Sequence, residues 1–219
     1  MKKHRGKPIV PVSDHRIEKY AEMHSVKDSA ELISLIESSK DALEYIDMLS
    51  GTIVGGLLQL IIKITGAKTI LEIGTFTGYS AIKMAEALPE GGLVCTIEVN
   101  KKFQLMAEAH FKKSAQMSKI RLIKGNAQQE IDLIDLKFDM IYLDGDKLRY
   151  KFYVEKVLPK LKTGGVIVAD NVLWDGTVLN PEDNKAQAIA DFNQFIIADP
   201  RLEVVLLPIR DGVSLIRKI

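Results

Sequence analysis

The chain of 219 residues has one cysteine, one tryptophan and no charge excess, with 30 Lys plus Arg against 29 Asp plus Glu. A single Cys95, set mid-run in LVCTI, excludes an intrachain disulfide and fits a reducing compartment; with no histidine near it in sequence it reads as a buried strand residue. The balanced charge argues against a partner bound mainly through its phosphates. Basic residues do cluster at Lys2, Lys3, His4, Arg5 and Lys7, which reads as a solvated tail rather than a nucleic-acid arm. No apolar run is long enough for a membrane span: the longest uncharged stretch, residues 48–62, is interrupted by Ser50, Gly51, Thr52, Gly55, Gly56 and Gln59. The start of the chain has no signal-peptide core. A cytoplasmic protein without a membrane partner is the expectation.

What is present is an alternation of short apolar runs with helical patterns from Lys68 onward, the pattern of βαβ units. Seven strands are predicted: TILEI, LVCTIEV, IRLIKG, FDMIYLD, GVIVAD, EVVLLPI and VSLIRK. Helices are predicted over 79–88, 101–116, 128–134, 149–161 and 185–198, and ahead of the sheet over 14–24, 29–49 and 57–64. Only Arg210, Asp211 and Gly212 separate the last two strands, too few for a crossover helix, so they form an antiparallel hairpin on an otherwise parallel sheet. The organisation expected is one domain over 1–219, an N-terminal helical extension (1–65) capping an α/β core (66–219).

LEIGTFTGYS reads as strand, glycine turn and helix start, with Gly74 turning the backbone and Gly78 admitting the helix. Helix-start N–H groups and the Thr75, Thr77 and Ser80 hydroxyls form a polar cradle. The spacing of Gly74 and Gly78 is not that of a pyrophosphate loop, which favours a cofactor without a diphosphate; S-adenosylmethionine fits, its cationic end near Glu72. Glu98 ends the next strand, placed to accept ribose hydroxyls, a placement shared with nicotinamide enzymes. Ala127, in GNA, suits an adenine wall.

Two further strands end on acids, in MIYLDGDK and VIVADN. Asp144, Asp170 and Asn171 supply oxygen ligands only, which selects a hard divalent cation, Mg²⁺ first, then Mn²⁺ or Ca²⁺. Three protein oxygens leave room for two adjacent hydroxyls. Asp146 faces the cofactor, and Lys147 is a candidate base. Trp174 reads as a wall for a flat aromatic substrate, with Asp175 and Tyr150 as weaker rim candidates. Each of these residues alone has a plain reading as turn former, helix cap or core residue; their joint placement argues for a site.

With those motifs in view the chain resembles the cation-dependent O-methyltransferases related to catechol and caffeoyl-coenzyme A O-methyltransferases, over about residue 51 to the C-terminus. The resemblance is carried by LEIGTFTGYS, TIEVN, FDMIYLDGDK and GGVIVADNVLWDG. It implies a Rossmann-like class I methyltransferase fold, α/β, with a seven-stranded mostly parallel sheet, a C-terminal antiparallel hairpin, helices on both faces and extra N-terminal helices. It further implies S-adenosylmethionine and divalent-cation dependence, methylation of one hydroxyl of a catechol-like phenolic small molecule, and a homodimer. By motif position, Ser50, Glu72, Gly74, Thr75, Ser80, Glu98, Ala127 and Asp146 would contact the cofactor, Asp144, Asp170 and Asn171 the metal, and Lys147 matches a proposed base. The chain departs from the family in DGDK for DADK, GNA for GDA, and IVGGLL where the helix before the first strand often carries an acid and a glutamine. Two competing readings are an RNA-binding methyltransferase using the basic tail, opposed by the neutral charge and by DNVL, and a nicotinamide-dependent oxidoreductase, opposed by the glycine spacing and the hairpin.

Overall fold

The computed structural model describes residues 14–40 and 50–219. The basic tail and the end of the helix expected over 29–49 lie outside these residues. Three helices come first: α1 (His15–Met23), α2 (Ala30–Lys40) and α3 (Gly51–Thr65). The third starts at Gly51, six residues before the predicted start, because the small residues of this segment still present an apolar stripe, Val54, Leu58, Ile61 and Ile62, to the core.

The sheet then alternates with helices: β1 (Thr69–Ile73), α4 (Tyr79–Ala87), β2 (Leu93–Glu98), α5 (Lys101–Lys113), β3 (Ile120–Lys124), α6 (Ala127–Leu133), β4 (Phe138–Leu143), α7 (Tyr150–Val157), β5 (Leu161–Asp170), α8 (Asn184–Ala198), β6 (Leu202–Leu207) and β7 (Val213–Lys218). The spatial order is β3-β2-β1-β4-β5-β7-β6, parallel except that β7 pairs antiparallel with both β5 and β6. The seven strands and the closing hairpin predicted from the sequence are therefore present. Several boundaries move, among them two around α7 and β5. Helix α7 stops at Val157, and β5 begins at Leu161, extended by pairing Phe138 with Leu161 across a register irregularity.

One hydrophobic cluster fills each face of the sheet. Ile141, Leu143, Tyr150, Ile167 and Phe192 belong to one, and Val54, Leu58, Ile82, Met140 and Val168 to the other. Side chains alternate between faces along each strand, so Glu72 and Tyr142, paired in register, share the α3/α4 face.

The register also places the site. Ile97, Ile73, Leu143 and Ala169 form one row across β2, β1, β4 and β5. The next residue of each strand is Glu98, Gly74, Asp144 and Asp170, a single line along the carboxyl edge. The chain reverses its strand order between β1 and β4, and that crevice is where open α/β sheets bind ligands.

Candidate active site

Gly74 leaves β1 at φ 104°, and a Cβ there would lie 2.4 Å from the Asp144 carbonyl oxygen. The close approach seals the ends of β1 and β4, with the Asp144 N–H donating to the Ile73 carbonyl at 2.9 Å. Gly78 has a different role from the predicted one. At φ 94° it caps α4, and the space a Cβ would fill holds the ring of Phe111 from α5.

Ser50, Gly74, Thr75, Phe76, Ser80 and Asp144 line one cleft. Glu72 sits behind it, fully buried, its carboxylate accepting from Ser80 Oγ and Thr96 Oγ1. Burial raises it to about 8 against the pull of those two hydroxyls, so at neutral pH it is protonated rather than a bare anion. Glu98 accepts the Phe76 N–H and the Asn100 N–H, each at 2.8 Å, one on each oxygen. Each oxygen keeps a lone pair for a ligand hydroxyl. Phe76, held at φ 51° and edge-on to Phe103 at 4.6 Å, is a cleft residue that sequence reasoning missed; an aromatic between two glycines was its only signal.

Ala127 is buried at the head of α6, where Asn126 of GNA caps the helix by accepting from the Gln128 N–H at 3.0 Å. Asp146 is exposed and caps the short 3₁₀ turn Lys147–Arg149. Neither lines the cleft; both lie further along the same edge.

At the β4 and β5 ends, Lys147 Nζ lies 2.7 Å from Asp144 Oδ1 and donates to Tyr150 Oη at 2.6 Å. Tyr150 is fully buried and not a rim residue as expected. Its hydroxyl stands 2.9 Å from the carbonyl oxygens of both Leu143 and Asp170, so it ties the two strand ends together. Tyr142, absent from the sequence-based site, donates to Asp170 Oδ2 at 2.7 Å and lies 2.9 Å from Ser50 Oγ. Burial and the Asp170 and Asp144 carboxylates push its phenol well above the ordinary value, so it remains a donor. Asp170 Oδ1 accepts the N–H of Asn171, itself at φ 58°.

Burial raises Asp144 to about 6; Lys147 opposes this and Asp170 adds to it. Asp211, on the β6–β7 turn, is likewise raised to about 6 by burial, against the hydrogen bond from the Asp175 N–H. Among the described residues no three His, Cys, Asp or Glu converge as a metal cluster. The oxygen donors at the strand ends are two carboxylates and one amide. Trp174 and Asp175 are half-buried on the loop after β5, both at positive φ, with Lys185 Nζ 5.7 Å from the Trp174 ring centre. Among the described residues, the five non-glycine residues with positive φ, Phe76, Asn171, Trp174, Asp175 and Arg210, all belong to these edge loops. Such concentration of strained backbone marks functional loops.

The family model described as O-methyltransferase matches residues 22–219. The chain belongs to the O-methyltransferase family. This methyltransferase is 35% identical over 179 residues to a caffeoyl-CoA O-methyltransferase of Mesembryanthemum crystallinum, spanning 75% of this chain and 70% of the relative. Its structure is similar to the SAH-bound methyltransferase PaMTH1 of Podospora anserina, with TM-score 0.88 and 28% identity over 93% and 94% of the two chains. It is also similar to the O-methyltransferase TomG of Streptomyces achromogenes in complex with SAM, with TM-score 0.84 and 26% identity over 93% and 96%. The methyltransferase is thus an S-adenosylmethionine-dependent enzyme acting on oxygen, and no helix among its described residues is long and apolar enough to cross a membrane.

Proposed function

We propose that this enzyme methylates one hydroxyl of a catechol-like, vicinal dihydroxy aromatic small molecule, with a divalent cation held by Asp144, Asp170 and Asn171. The observation that carries this reading is the strand-end row, which sets Asp144 and Asp170 side by side next to the Gly74 turn. Asp144, half-buried, and the buried Asp170 stand at neighbouring strand ends; burial is the main cause of the raised Asp144 and the Asp170 charge adds to it, and a dication would relieve both. An all-oxygen donor set suits Mg²⁺, Mn²⁺ or Ca²⁺. The relatives named as caffeoyl-CoA O-methyltransferases support a phenolic acceptor.

When bound, the cation would acidify the acceptor hydroxyl and fix a diol in place. The remaining work falls to side chains. The 74–80 segment and Glu98 orient the methyl donor, and Tyr142 and Tyr150 hold the ends of β4 and β5 at fixed spacing. Lys147, its nitrogen pinned between Asp144 and Tyr150, is our candidate base: it would take the acceptor's proton as the neutral amine, having first released its own proton to solvent. Trp174 and Asp175 form the wall for the ring.

Methyl transfer to catechol, caffeate, flavonoids and coenzyme A esters, with and without Mg²⁺, tests the proposal. Activity on at least one vicinal diol is expected, abolished by excess EDTA and restored by Mg²⁺. Asp144→Ala should lower it more than about 100-fold, beyond the usual effect of changing a group that only supports a ligand. Full activity in excess EDTA sinks the metal role.

A further inference from the structure

A serine at the head of a helix ordinarily turns its hydroxyl oxygen onto the N–H groups of the first turn. Ser50, at the head of α3, makes no such bond. Its side chain turns to the sheet instead, where Oγ lies 2.9 Å from the hydroxyl of Tyr142 on β4. Tyr142 is fully enclosed, while Ser50 lines the cleft with Gly74, Ser80 and Asp144. The Ser50 backbone is held as well, since Arg210 on the β6–β7 turn donates to its carbonyl.

The bond between the two hydroxyls has a direction. Tyr142 Oη lies 2.7 Å from Asp170 Oδ2, and a carboxylate can only accept. A phenol has one hydrogen, so Tyr142 spends it on Asp170 and takes the hydrogen of Ser50. Ser50 therefore donates to Tyr142, Tyr142 donates to Asp170, and Ser50 Oγ presents lone pairs alone to the cleft. Asp144, lining the same cleft, is a second acceptor. A corner with two acceptors suits a cationic donor, and the methionyl end of S-adenosylmethionine carries one, its ammonium; the carboxylate beside it has no hydrogen to give. We propose that Tyr142 is a positioning residue for the methyl donor: by fixing the hydrogen of Ser50 it makes that hydroxyl an acceptor for the methionyl ammonium. Without the phenol, Ser50 would be free to rotate and to donate to a carboxylate. The role goes beyond the acceptor and the cation, because Asp170 accepts from Tyr142 whether or not it also holds a metal.

The test is calorimetric titration of the full-length enzyme in EDTA with SAH and with the SAH analogue in which hydrogen replaces the α-amino group. EDTA keeps the cation out of the comparison, so the metal site and the role of Tyr142 stand or fall separately. Wild type should bind SAH at least about 10-fold more tightly than the analogue, as expected for a hydrogen bond to a charged group. Tyr142→Phe should weaken SAH by about 3- to 10-fold and leave the analogue's affinity unchanged or improved. Ser50→Ala should reduce the preference for SAH, and in that background Tyr142→Phe should have no further effect. Equal losses for both ligands in Tyr142→Phe would mark a merely structural role and overturn the proposal. An unchanged SAH affinity in that variant, or the same loss with Ser50 already removed, overturns it too. If Tyr142→Phe does not fold, Ser50→Ala decides alone: a loss confined to SAH upholds the assignment, and a loss shared by the analogue overturns it.

Discussion

Glu72 shows how burial, helped by nearby carboxylates, can favour the neutral form of a residue expected to be charged. Its place beside the glycine turn is legible in LEIGTFTGYS, but its enclosure by Ser80 and Thr96 comes from β2 and α4 and is not. The consequence is measurable. The folded value of about 8 lies above the ordinary 4.5, so the folded chain binds this proton more tightly than the unfolded chain does. Stability without ligand should therefore fall as pH rises from 4.5 to about 8 and level off above it. Asp144 and Asp211 act in the same direction, but their contributions end near 6, which leaves the interval from about pH 7 to 8 to Glu72. Thermal unfolding across that interval should show a declining midpoint in the wild type and a flatter one in Glu72→Gln. An equal slope in both would show that the proton is not held there. Tyr142 and Tyr150 make the same point without a change of charge. Tyr142 in its strand reads as core and Tyr150 reads as a rim candidate, and only the tertiary structure buries both and brings their hydroxyls to Asp170, the first at its carboxylate and the second at its carbonyl.

Among the elements, the N-terminal helices were expected as a cap, and the structure shows what docks them. Asp28, between α1 and α2, accepts from Lys83 Nζ at 2.7 Å and Tyr79 Oη at 2.8 Å on α4, and from Thr52 Oγ1 at 3.0 Å on α3. The Lys83 side chain is 1% exposed and that of Asp28 8%, so this is a buried ion pair rather than a surface one. Gly55 in IVGGLL, a departure from the family pattern, leaves the space through which the Lys83 stem and Tyr79 pass. Removing one partner strands the other's charge in the core. Asp28→Ala and Lys83→Met should each cost about 3–5 kcal/mol of stability in urea unfolding, while the double variant should cost clearly less than the sum of the two. Additive losses, with Lys83→Met costing little by itself, would mean that Asp28 matters through its other two hydrogen bonds. Serine 29 extends the clamp, donating to Glu86 on α4 at 2.6 Å. Neither contact could be read from the sequence, because the partners are more than 50 residues apart.

For the molecule as a whole, the proposed cation site at the edge where four strands end would make global stability depend on metal. Mg²⁺ or Mn²⁺ at about 100 times its dissociation constant should add about 2.7 kcal/mol and raise the unfolding midpoint, reversibly with EDTA. Asp144→Asn should abolish that rise, and a rise of the same size in this variant would place the metal elsewhere. The sequence by itself determined the alternation of strands and helices, the closing hairpin, the glycine turn and the acids at the strand ends. These are local signals: period, turn chemistry and the abrupt end of an apolar run are all written within a few residues. Only the tertiary structure decided that Glu98, Gly74, Asp144 and Asp170 stand in one row, that Glu72 is enclosed by Ser80 and Thr96, and that Tyr150 is buried. Each depends on strand order, register and burial, which arise from contacts between distant segments and so leave no mark on any one stretch of the chain.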